Sequence, residues 1–173
     1  AVCPVGAITV KQDVDKVFAA LDNPEKVVVA QIAPAVRVAL GEQFGMTSGD
    51  IVTGKITAAL KKMGFDKVFD TSFSADLTVM EEGTEFLERF TKGEKLPQFT
   101  SCCPAWVKFA EQYYPEILPR LSSCKSPQQM FGSLARATLP KMLNVKPENL
   151  FIVSIMPCTA KKEEAARPAL RNN

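Results

Sequence analysis

The residues of this sequence best suited to chemistry are its five cysteines. Cys102 and Cys103 are adjacent, and Cys158 follows far downstream, while Cys3 and Cys124 stand alone. An odd count without any CxxC pair argues against a disulfide framework. The thiols are therefore either soft ligands for an iron–sulfur cluster, zinc or copper(I), or buried structural groups.

The sequence contains no histidine. This absence excludes imidazole general bases, Ser–His and Cys–His nucleophile pairs, and His-ligated zinc. A formal net charge of +2 is too small to indicate a nucleic acid or an acidic membrane surface as a partner. Any chemistry must therefore use cysteine, carboxylate, lysine or a bound cofactor.

At 173 residues and 46% hydrophobic composition, the chain is large enough for one sizeable core. No apolar run approaches the roughly 20 residues that span a bilayer, and the N-terminus has no basic-then-apolar signal region. We expect an intracellular protein, with any targeting segment outside this sequence.

Alternating strands and helices are predicted to position the cysteines. Apolar runs at residues 27–32, 67–70, 96–100 and 150–155 predict strands, and the segments between them have helical spacing. The first run is rich in β-branched residues, which is typical of a strand covered on both faces of a parallel sheet. The alternation predicts an α/β fold with a largely parallel sheet.

Capping signals predict where several helices begin and end. Pro34 and Pro104 suit the first position of a helix, and Ser126 opens a capping box at the start of another. Asp50 is predicted to cap a helix that ends at Gly64.

A long helix is predicted over residues 74–92, with two different sides. Glu82, Glu85 and Arg89 share one face because they stand at positions i, i+3 and i+7. Spacing alone favours a solvated charged face over a functional relay. The apolar side is predicted to carry Leu77, Met80, Thr84 and Leu87.

The cysteine-containing segments are predicted to meet. Ligands of open α/β sheets bind beyond the carboxyl ends of the strands. Cys102 and Cys103 follow the predicted strand at 96–100, and Cys158 follows the one at 150–155. We therefore expect these two segments to form two walls of one site.

Near the N-terminus, Val2–Ile8 has the sequence VCPVGAI. A Cys-Pro of this kind ends the cysteine run of bacterial ferredoxins, where the last cysteine binds the second cluster of the pair. Cys3 is thus a candidate ligand of an upstream 4Fe–4S cluster. The alternative is a free cysteine before a turn.

Two segments closely resemble signature sequences of the iron–iron (FeFe) hydrogenases. Thr100–Trp106 (TSCCPAW) resembles the first signature, and Met156–Lys162 (MPCTAKK) resembles the second. Further similarity runs from Gln31–Arg37 through Lys125–Gln129 to Arg167–Pro168. The resemblance covers nearly the whole chain and implies parallel-sheet lobes flanked by helices, with the cluster site between the lobes.

In that family, a four-iron cubane held by four cysteines is bridged to a two-iron unit that carries CO, cyanide and an azadithiolate. The resemblance implies that Cys103 and Cys158 are two of the cubane ligands. It also implies that Cys102 passes protons to the bridging amine. The residues that it places around the two-iron unit are Lys161, Met156, Ala33, Pro34 and Gln128.

The resemblance gives the acidic helix face a second interpretation. It implies that Glu82, Ser122, Glu85 and Arg89 bring protons from solvent to the Cys102 thiol. Without histidine, carboxylates and hydroxyls within hydrogen-bond reach can carry out this transfer. On the resemblance, and against the spacing alone, we favour the relay. The resemblance implies no role for the fifth cysteine, Cys124, which is predicted to be a buried thiol.

The resemblance also implies domain boundaries. Residues 1–12 resemble the tail of an upstream ferredoxin-like iron–sulfur domain, and residues 13–173 the N-terminal part of the catalytic domain. The family's third signature, which supplies the last two cluster ligands, does not occur before Asn173. We therefore expect a fragment of a longer enzyme that is inactive alone and has accessory 4Fe–4S clusters upstream.

The expected function is reversible reduction of protons to H₂ with electrons from reduced ferredoxin. The implied partners are ferredoxin or a similar electron carrier, and the proteins that mature the H-cluster. The implied location is the cytoplasm, or the hydrogenosome in a eukaryote. Two alternatives remain, a non-enzymatic iron–sulfur assembly adaptor of hydrogenase-like fold and an H₂-sensing relative. Cys102, Met156 and Lys161 count against the adaptor, which needs neither a proton-donating thiol nor a lysine that binds cyanide.

Overall fold

The structure, a computed structural model, describes residues 3–170, so residues 1–2 and 171–173 of the predicted domains lie outside it. One sheet contains β1 (Val27–Ile32), β2 (Lys67–Asp70) and β3 (Leu150–Ile155), in the order β2–β1–β3. Both neighbouring pairs are parallel, which requires crossover connections between the strands. The predicted α/β fold with a parallel sheet is confirmed.

Helices connect these strands and follow the last one. None in the described part of the chain is long and apolar enough to cross a membrane. Short 3₁₀ helices lie at Leu40–Phe44, Pro115–Arg120, Pro147–Asn149 and Pro168–Leu170. The α-helices of residues 3–170 are α1 (Val14–Leu21), α2 (Pro34–Ala39), α3 (Thr53–Lys62), α4 (Ser72–Lys92), α5 (Pro104–Tyr113), α6 (Pro127–Leu143) and α7 (Lys161–Ala166).

Three of the predicted helix starts are confirmed. Pro34 and Pro104 occupy the first positions of α2 and α5, where the N–H that proline lacks is not needed. At the start of α6, the Ser126 side chain accepts a hydrogen bond from the backbone N–H of Gln129. These local signals therefore place the helices that follow β1 and the cysteine pair.

The prediction that Asp50 caps α3 is wrong. The helix begins at Thr53, and Val52 is its N-cap residue. The backbone N–H of Val52 donates to the carbonyl oxygen of Arg37 (2.9 Å). The start of α3 is thus fixed by a contact with α2, and not by a local side-chain cap.

The predicted strand at residues 96–100 is also wrong. This segment contributes only an isolated bridge between Phe99 and Leu121, away from the sheet. Pro97 lies within the segment and cannot donate to a ladder. The bridge still has a consequence, because the Ser122 N–H donates to the Phe99 carbonyl oxygen (2.7 Å) and is thereby fixed beside the cysteine segment.

Strand β1 forms the centre of the core. Val28, Ala30 and Ile32 pack toward one face with residues of α1 and α3, including Ala20 and Ile56. On the opposite face, Val29 packs with Phe131, Ala135, Leu139 and Leu150. The sheet is therefore covered on both faces, as the continuous apolar run of β1 predicts.

One buried polar residue ties the core to the edge where the strands end. The Nε2 atom of Gln31 donates to Ser154 Oγ (2.8 Å) and to the carbonyl oxygen of Gln128 (3.2 Å). Its Oε1 accepts from Thr71 Oγ (3.1 Å). A satisfied buried amide of this kind fixes the relative positions of β1, β3 and α6.

The predicted apolar side of α4 is not buried within the described residues. Met80 and Leu87 are 69% and 63% exposed. The buried residues of α4 are Ser74 and Thr78, and Thr78 contacts the Met130 sulfur of α6 at 3.0 Å. The helix packs through small hydroxyl side chains because these allow a close approach to α6.

Candidate cluster and proton-transfer site

The cysteine pair lies at the start of α5. Cys103 is the N-cap residue, with an extended backbone and an exposed side chain, whereas Cys102 is partly buried. The N-cap residue lies outside the helical hydrogen-bond pattern. The exposed thiol of Cys103 is therefore open to a ligand, and that of Cys102 faces more protein.

The second cysteine segment lies between β3 and α7. Met156 follows the end of β3 directly, and Cys158 follows two positions later. The Cys158 carbonyl oxygen accepts a hydrogen bond from the backbone N–H of Lys161 (3.3 Å), at the first residue of α7. The segment is a tight turn from a strand into a helix.

The structure brings the two cysteine segments together, as predicted. The Lys161 ammonium donates to the carbonyl oxygen of Cys102 (2.8 Å). At the same edge of the sheet, the Ala33 N–H donates to the carbonyl oxygen of Ile155 (3.0 Å), the residue before Met156. The ends of β1 and β3 therefore adjoin the start of α5.

A cavity of about 360 Å³ lies beside the second cysteine segment. Its lining includes Gln128, Met156, Cys158 and Lys161, which are four of the predicted cluster-site residues. The remaining predicted residues do not line it. Ala33 is buried nearby, and Pro34, Cys102 and Cys103 lie outside the cavity lining.

The chemistry of the cavity suits an iron–sulfur group. Cys158 and Met156 supply soft sulfur atoms, and Lys161 supplies a positive charge. The Oε1 atom of Gln128 is buried without a hydrogen-bond partner, which is costly unless a bound group supplies one. Within residues 3–170, no three His, Cys, Asp or Glu side chains cluster closely enough to hold a metal ion.

Ion pairs hold α5 against α7. Arg167 forms a bidentate pair with Glu111 (2.7 and 3.0 Å) and contacts Glu163 at 3.3 Å. Lys108 contacts the same Glu163 oxygen at 3.1 Å. The hydrogen bond from Lys108, helped by Arg167, lowers the pKa of Glu163. We call these four residues the clamp, because they join the helices that follow the two cysteine segments.

Sequence reasoning missed a buried carboxylate. Glu164 of α7 is 4% exposed and accepts both the N–H (3.0 Å) and the hydroxyl (2.7 Å) of Ser126. The capping-box pattern assigned the return bond to Gln129, but Glu164 takes that place. Only its position after the second signature could have indicated it.

Glu85 is the centre of the predicted relay. Ser122 Oγ donates to its Oε2 (2.7 Å), and Arg89 contacts its Oε1 at 2.6 Å. The Ser123 N–H reaches both oxygens, at 3.2 and 3.1 Å. Partial burial by itself raises the pKa of Glu85, but these three donors outweigh it, so the pKa lies below its ordinary value.

Glu82 lies on the same helix, less than one turn before Glu85, and its Oε1 is buried without a hydrogen-bond partner. Direct hydrogen bonds thus join Ser122, Glu85 and Arg89, whereas Glu82 makes none to them through this oxygen. Among the described residues, no hydrogen bond connects the Cys102 thiol to this group. The spacing that predicted a common face is confirmed, whereas the roles of these residues stay predictions.

Cys3 lies in a turn closed by a hydrogen bond from the Gly6 N–H to its carbonyl oxygen (3.2 Å). Backbone N–H groups of Ile8, Val5 and Ala7 lower the pKa of its thiol. N–H groups directed at sulfur also surround the cysteines of iron–sulfur clusters. The environment suits a ligated thiolate, and the ligand role of Cys3 stays a prediction.

The fold and the sulfur-lined cavity define an α/β protein with a candidate soft-metal site. A sequence model described as the iron only hydrogenase large subunit, C-terminal domain, matches residues 26–173. The chain therefore belongs to the FeFe-hydrogenase large-subunit family.

Three relatives illustrate the range of this similarity. NADP-reducing hydrogenase subunit HndD of Solidesulfovibrio fructosivorans is 53% identical, over 100% of this chain and 31% of the relative. Iron hydrogenase 1 of Clostridium pasteurianum is 50% identical, over 98% of this chain and 30% of the relative. Cytosolic Fe-S cluster assembly factor narfl of Danio rerio is 40% identical, over 83% of this chain and 36% of the relative. The chain spans about a third of the length of these relatives.

Solved structures agree with this assignment. A variant of the FeFe-hydrogenase HydA1 from Chlamydomonas reinhardtii matches with a TM-score of 0.83 and 44% identity, over 89% of this chain and 40% of that one. A structure of HydA(deltaEFG), which reveals stepwise H-cluster assembly, matches with a TM-score of 0.83 and 45% identity. The match covers 90% of this chain and 40% of that one. The fold is that of the FeFe hydrogenases.

Proposed function

We propose that this chain forms part of the H-cluster pocket of an enzyme that interconverts protons, electrons and H₂. Membership of the hydrogenase family supports this. The observation that carries the proposal is the hydrogen bond from Lys161 to the Cys102 carbonyl oxygen. It joins the two signature segments beside a cavity that already contains Cys158, Met156 and Gln128.

The residues of the site divide into ligands and pocket-lining groups. Cys103 and Cys158 would supply two of the four thiolates of the cubane. When bound, the cubane and a two-iron unit with CO, cyanide and azadithiolate supply the redox chemistry that combines protons with electrons. The residues that would surround the two-iron unit are Lys161, Met156, Gln128, Ala33 and Pro34.

The acidic group on α4 would carry protons inward. Arg89 fixes the Glu85 carboxylate against Ser122 and keeps it ionised between transfers. Ser122 Oγ can accept a proton from Glu85 and release its own toward Glu82, whose buried oxygen has a free acceptor position. The Cys102 thiol is the final donor in this proposal.

Electrons would arrive from reduced ferredoxin or a similar carrier through accessory 4Fe–4S clusters. In this proposal Cys3 is a ligand of one such cluster, in a tail of an upstream domain over residues 1–12, with the catalytic domain following from residue 13. Lys162 supports the connection, since its ammonium donates to the carbonyl oxygen of Lys11 (2.6 Å) and thereby joins this tail to α7. Maturation proteins would supply the H-cluster in the cytoplasm.

A second candidate function is iron–sulfur cluster assembly. The 40% identity to the Danio rerio assembly factor favours it. An assembly adaptor would bind a cubane through Cys103 and Cys158 and would need no proton path. The hydrogen-bonded group of Ser122, Glu85 and Arg89 therefore favours the enzyme.

The experiment uses the full-length protein, matured with the two-iron cofactor, and compares wild type with Cys102→Ser. We expect wild type to evolve H₂ from reduced ferredoxin and the variant to lose at least about 100-fold in rate, because it lacks the final proton donor. Lys62→Ala, on the exposed end of α3, is the control for expression and maturation. A cubane detected by electron paramagnetic resonance without any H₂ evolution by wild type would favour the adaptor.

A further inference from the structure

Glu164 makes contacts that have no part in the proposed function so far. This buried residue of α7 accepts hydrogen bonds from both the N–H (3.0 Å) and the hydroxyl (2.7 Å) of Ser126, which is 0% exposed. A buried carboxylate is costly unless it is hydrogen-bonded, and hydrogen bonds to a charged acceptor are stronger than neutral ones. The two residues therefore hold each other firmly.

These contacts replace a local helix cap with a tertiary one. Ser126 is the N-cap residue of α6, and in a capping box the side chain of Gln129 would accept its N–H. Here Glu164, which lies 38 positions away on another helix, accepts it instead. The start of α6 is therefore fixed relative to α7, and not only by its own sequence.

Both ends of this link lie close to the cavity of about 360 Å³. Gln128 is the second residue of α6, two positions after Ser126, and Lys161 begins α7, three positions before Glu164. Gln128 and Lys161 line the cavity together with Cys158. The link therefore fixes the relative positions of two side chains of the cavity lining.

A second contact holds the same turn of α6 from the side of the sheet. The Nε2 atom of Gln31 donates to the carbonyl oxygen of Gln128 (3.2 Å). The backbone beside Gln128 is thus held both by the sheet and by α7, whereas its buried Oε1 has no hydrogen-bond partner. An unpaired acceptor on a fixed backbone is preorganised for a donor on a bound group.

We propose that Glu164 is a positioning residue that sets the separation of Gln128 and Lys161 in the cavity. A shorter side chain at this position must either release Ser126 or draw the start of α6 toward α7, and either change moves Gln128. The inference rests on the proposed function, in which Gln128 and Lys161 surround the two-iron unit. It adds a residue that acts on the pocket through Ser126.

The experiment compares Glu164→Asp with Glu163→Asp in the matured full-length enzyme. Glu164→Asp keeps the charge and both acceptor oxygens but is one methylene shorter. It should shift the infrared bands of the CO and cyanide ligands and slow H₂ evolution by about two- to tenfold. Glu163→Asp, the same change one position earlier, should leave the bands in place and the rate within about twofold. Bands that stay in place in Glu164→Asp would overturn the inference, because a role in stability alone predicts that result.

A second background tests whether the effect passes through Gln128. When Gln128→Ala has already removed the amide, Glu164→Asp should shift the bands much less than it does in the wild-type background. A shift of the same size in both backgrounds would overturn the inference.

A readout without the cluster separates this inference from the proposed function. The N–H groups of Gln129 and Met130 donate to Ser126 Oγ (3.4 Å) and to the Ser126 carbonyl oxygen (2.8 Å). Hydrogen–deuterium exchange at these two amides in the metal-free full-length protein should be faster in Glu164→Asp and unchanged in Glu163→Asp. Unchanged exchange in Glu164→Asp would overturn this inference alone, whereas a wild type without H₂ evolution would overturn the proposed function.

Discussion

The chain contains two glutamate–arginine pairs with the same helical spacing and different surroundings. Glu85 and Arg89 on α4 are 2.6 Å apart, with side chains 20% and 12% exposed. Glu163 of α7 and Arg167, the residue directly after that helix, have the same i, i+4 spacing and are 3.3 Å apart, with side chains 38% and 24% exposed. Spacing alone therefore does not distinguish the two pairs.

Their neighbours do distinguish them. Glu85 accepts a hydrogen bond from the Ser122 hydroxyl. It lies near Glu82, which has a buried oxygen without a hydrogen-bond partner. Within residues 3–170, the Glu163 carboxylate contacts only cationic side chains, those of Lys108 and Arg167. The first pair has groups that can release or accept a proton, and the second has groups that can only hold two helices together. A proton path requires neighbouring groups that can both accept and release a proton, in addition to charge.

The largest expected effect separates the two pairs by activity. Glu85→Gln keeps the shape of the side chain but removes its ionised form, and should lower H₂ evolution of the full-length enzyme by about 100-fold or more. Glu163→Gln is the matched substitution on α7 and should leave the rate within about twofold, because exposed ion pairs contribute little. Equal losses in both variants would show that the pairs do not differ as described.

The next effect concerns stability. Glu164→Ala removes the acceptor of both the N–H and the hydroxyl of buried Ser126, and should lower the free energy of unfolding by about 1–3 kcal/mol. Glu163→Ala, one position earlier and only half-buried, should cost less than about 1 kcal/mol. Urea denaturation of the full-length protein measures both values. A larger loss at Glu163 would contradict the structural role of Glu164.

A smaller effect concerns the clamp. Arg167→Ala removes the partly exposed pairs with Glu111 and Glu163, and should destabilise the protein by about 1 kcal/mol. Because salt screens exposed charges, the difference from wild type should nearly vanish at about 1 M salt. Urea denaturation at low and high salt tests this, and a loss that persists in high salt would indicate packing instead of charge.

The smallest effect is the pH dependence from Glu85. Its folded pKa lies below the ordinary value of 4.5, so the ionised form stabilises the fold above pH 4.5 and this contribution is lost as the pH falls through the folded pKa. The stability difference between wild type and Glu85→Gln should be constant near neutral pH and shrink below pH 4.5. If this stability difference grew on acidification, the pKa of Glu85 would be raised in the folded protein and not lowered.

Much of the fold was predictable because its signals are local. The β-branched run Val27–Ile32 forms the central strand, and Pro34 and Pro104 begin helices as expected. The errors came from tertiary contacts and composition. Val52 is held by Arg37, so Asp50 caps no helix, and Pro97 interrupts the run at residues 96–100.

The site was predictable in part. The end of β3 and the helix start at Pro104 indicated that Cys102 and Cys158 would approach each other, and the contact of Lys161 with Cys102 agrees, although the strand expected before the cysteine pair does not form. The contact of Glu164 with Ser126 joins residues 38 positions apart and follows no period, so spacing could not reveal it. The relay was favoured only on the family resemblance, since its spacing also fits a solvated surface.

The most direct test of the central claim is the iron content of the unmatured full-length protein with single cysteine substitutions. If Cys103 and Cys158 hold one cubane, Cys103→Ala and Cys158→Ala should each lose about four irons per chain. Cys102→Ala, at the adjacent thiol, should keep them. Full iron content in Cys103→Ala, or equal losses in Cys102→Ala and Cys103→Ala, would contradict the division of the cysteine pair into proton donor and ligand.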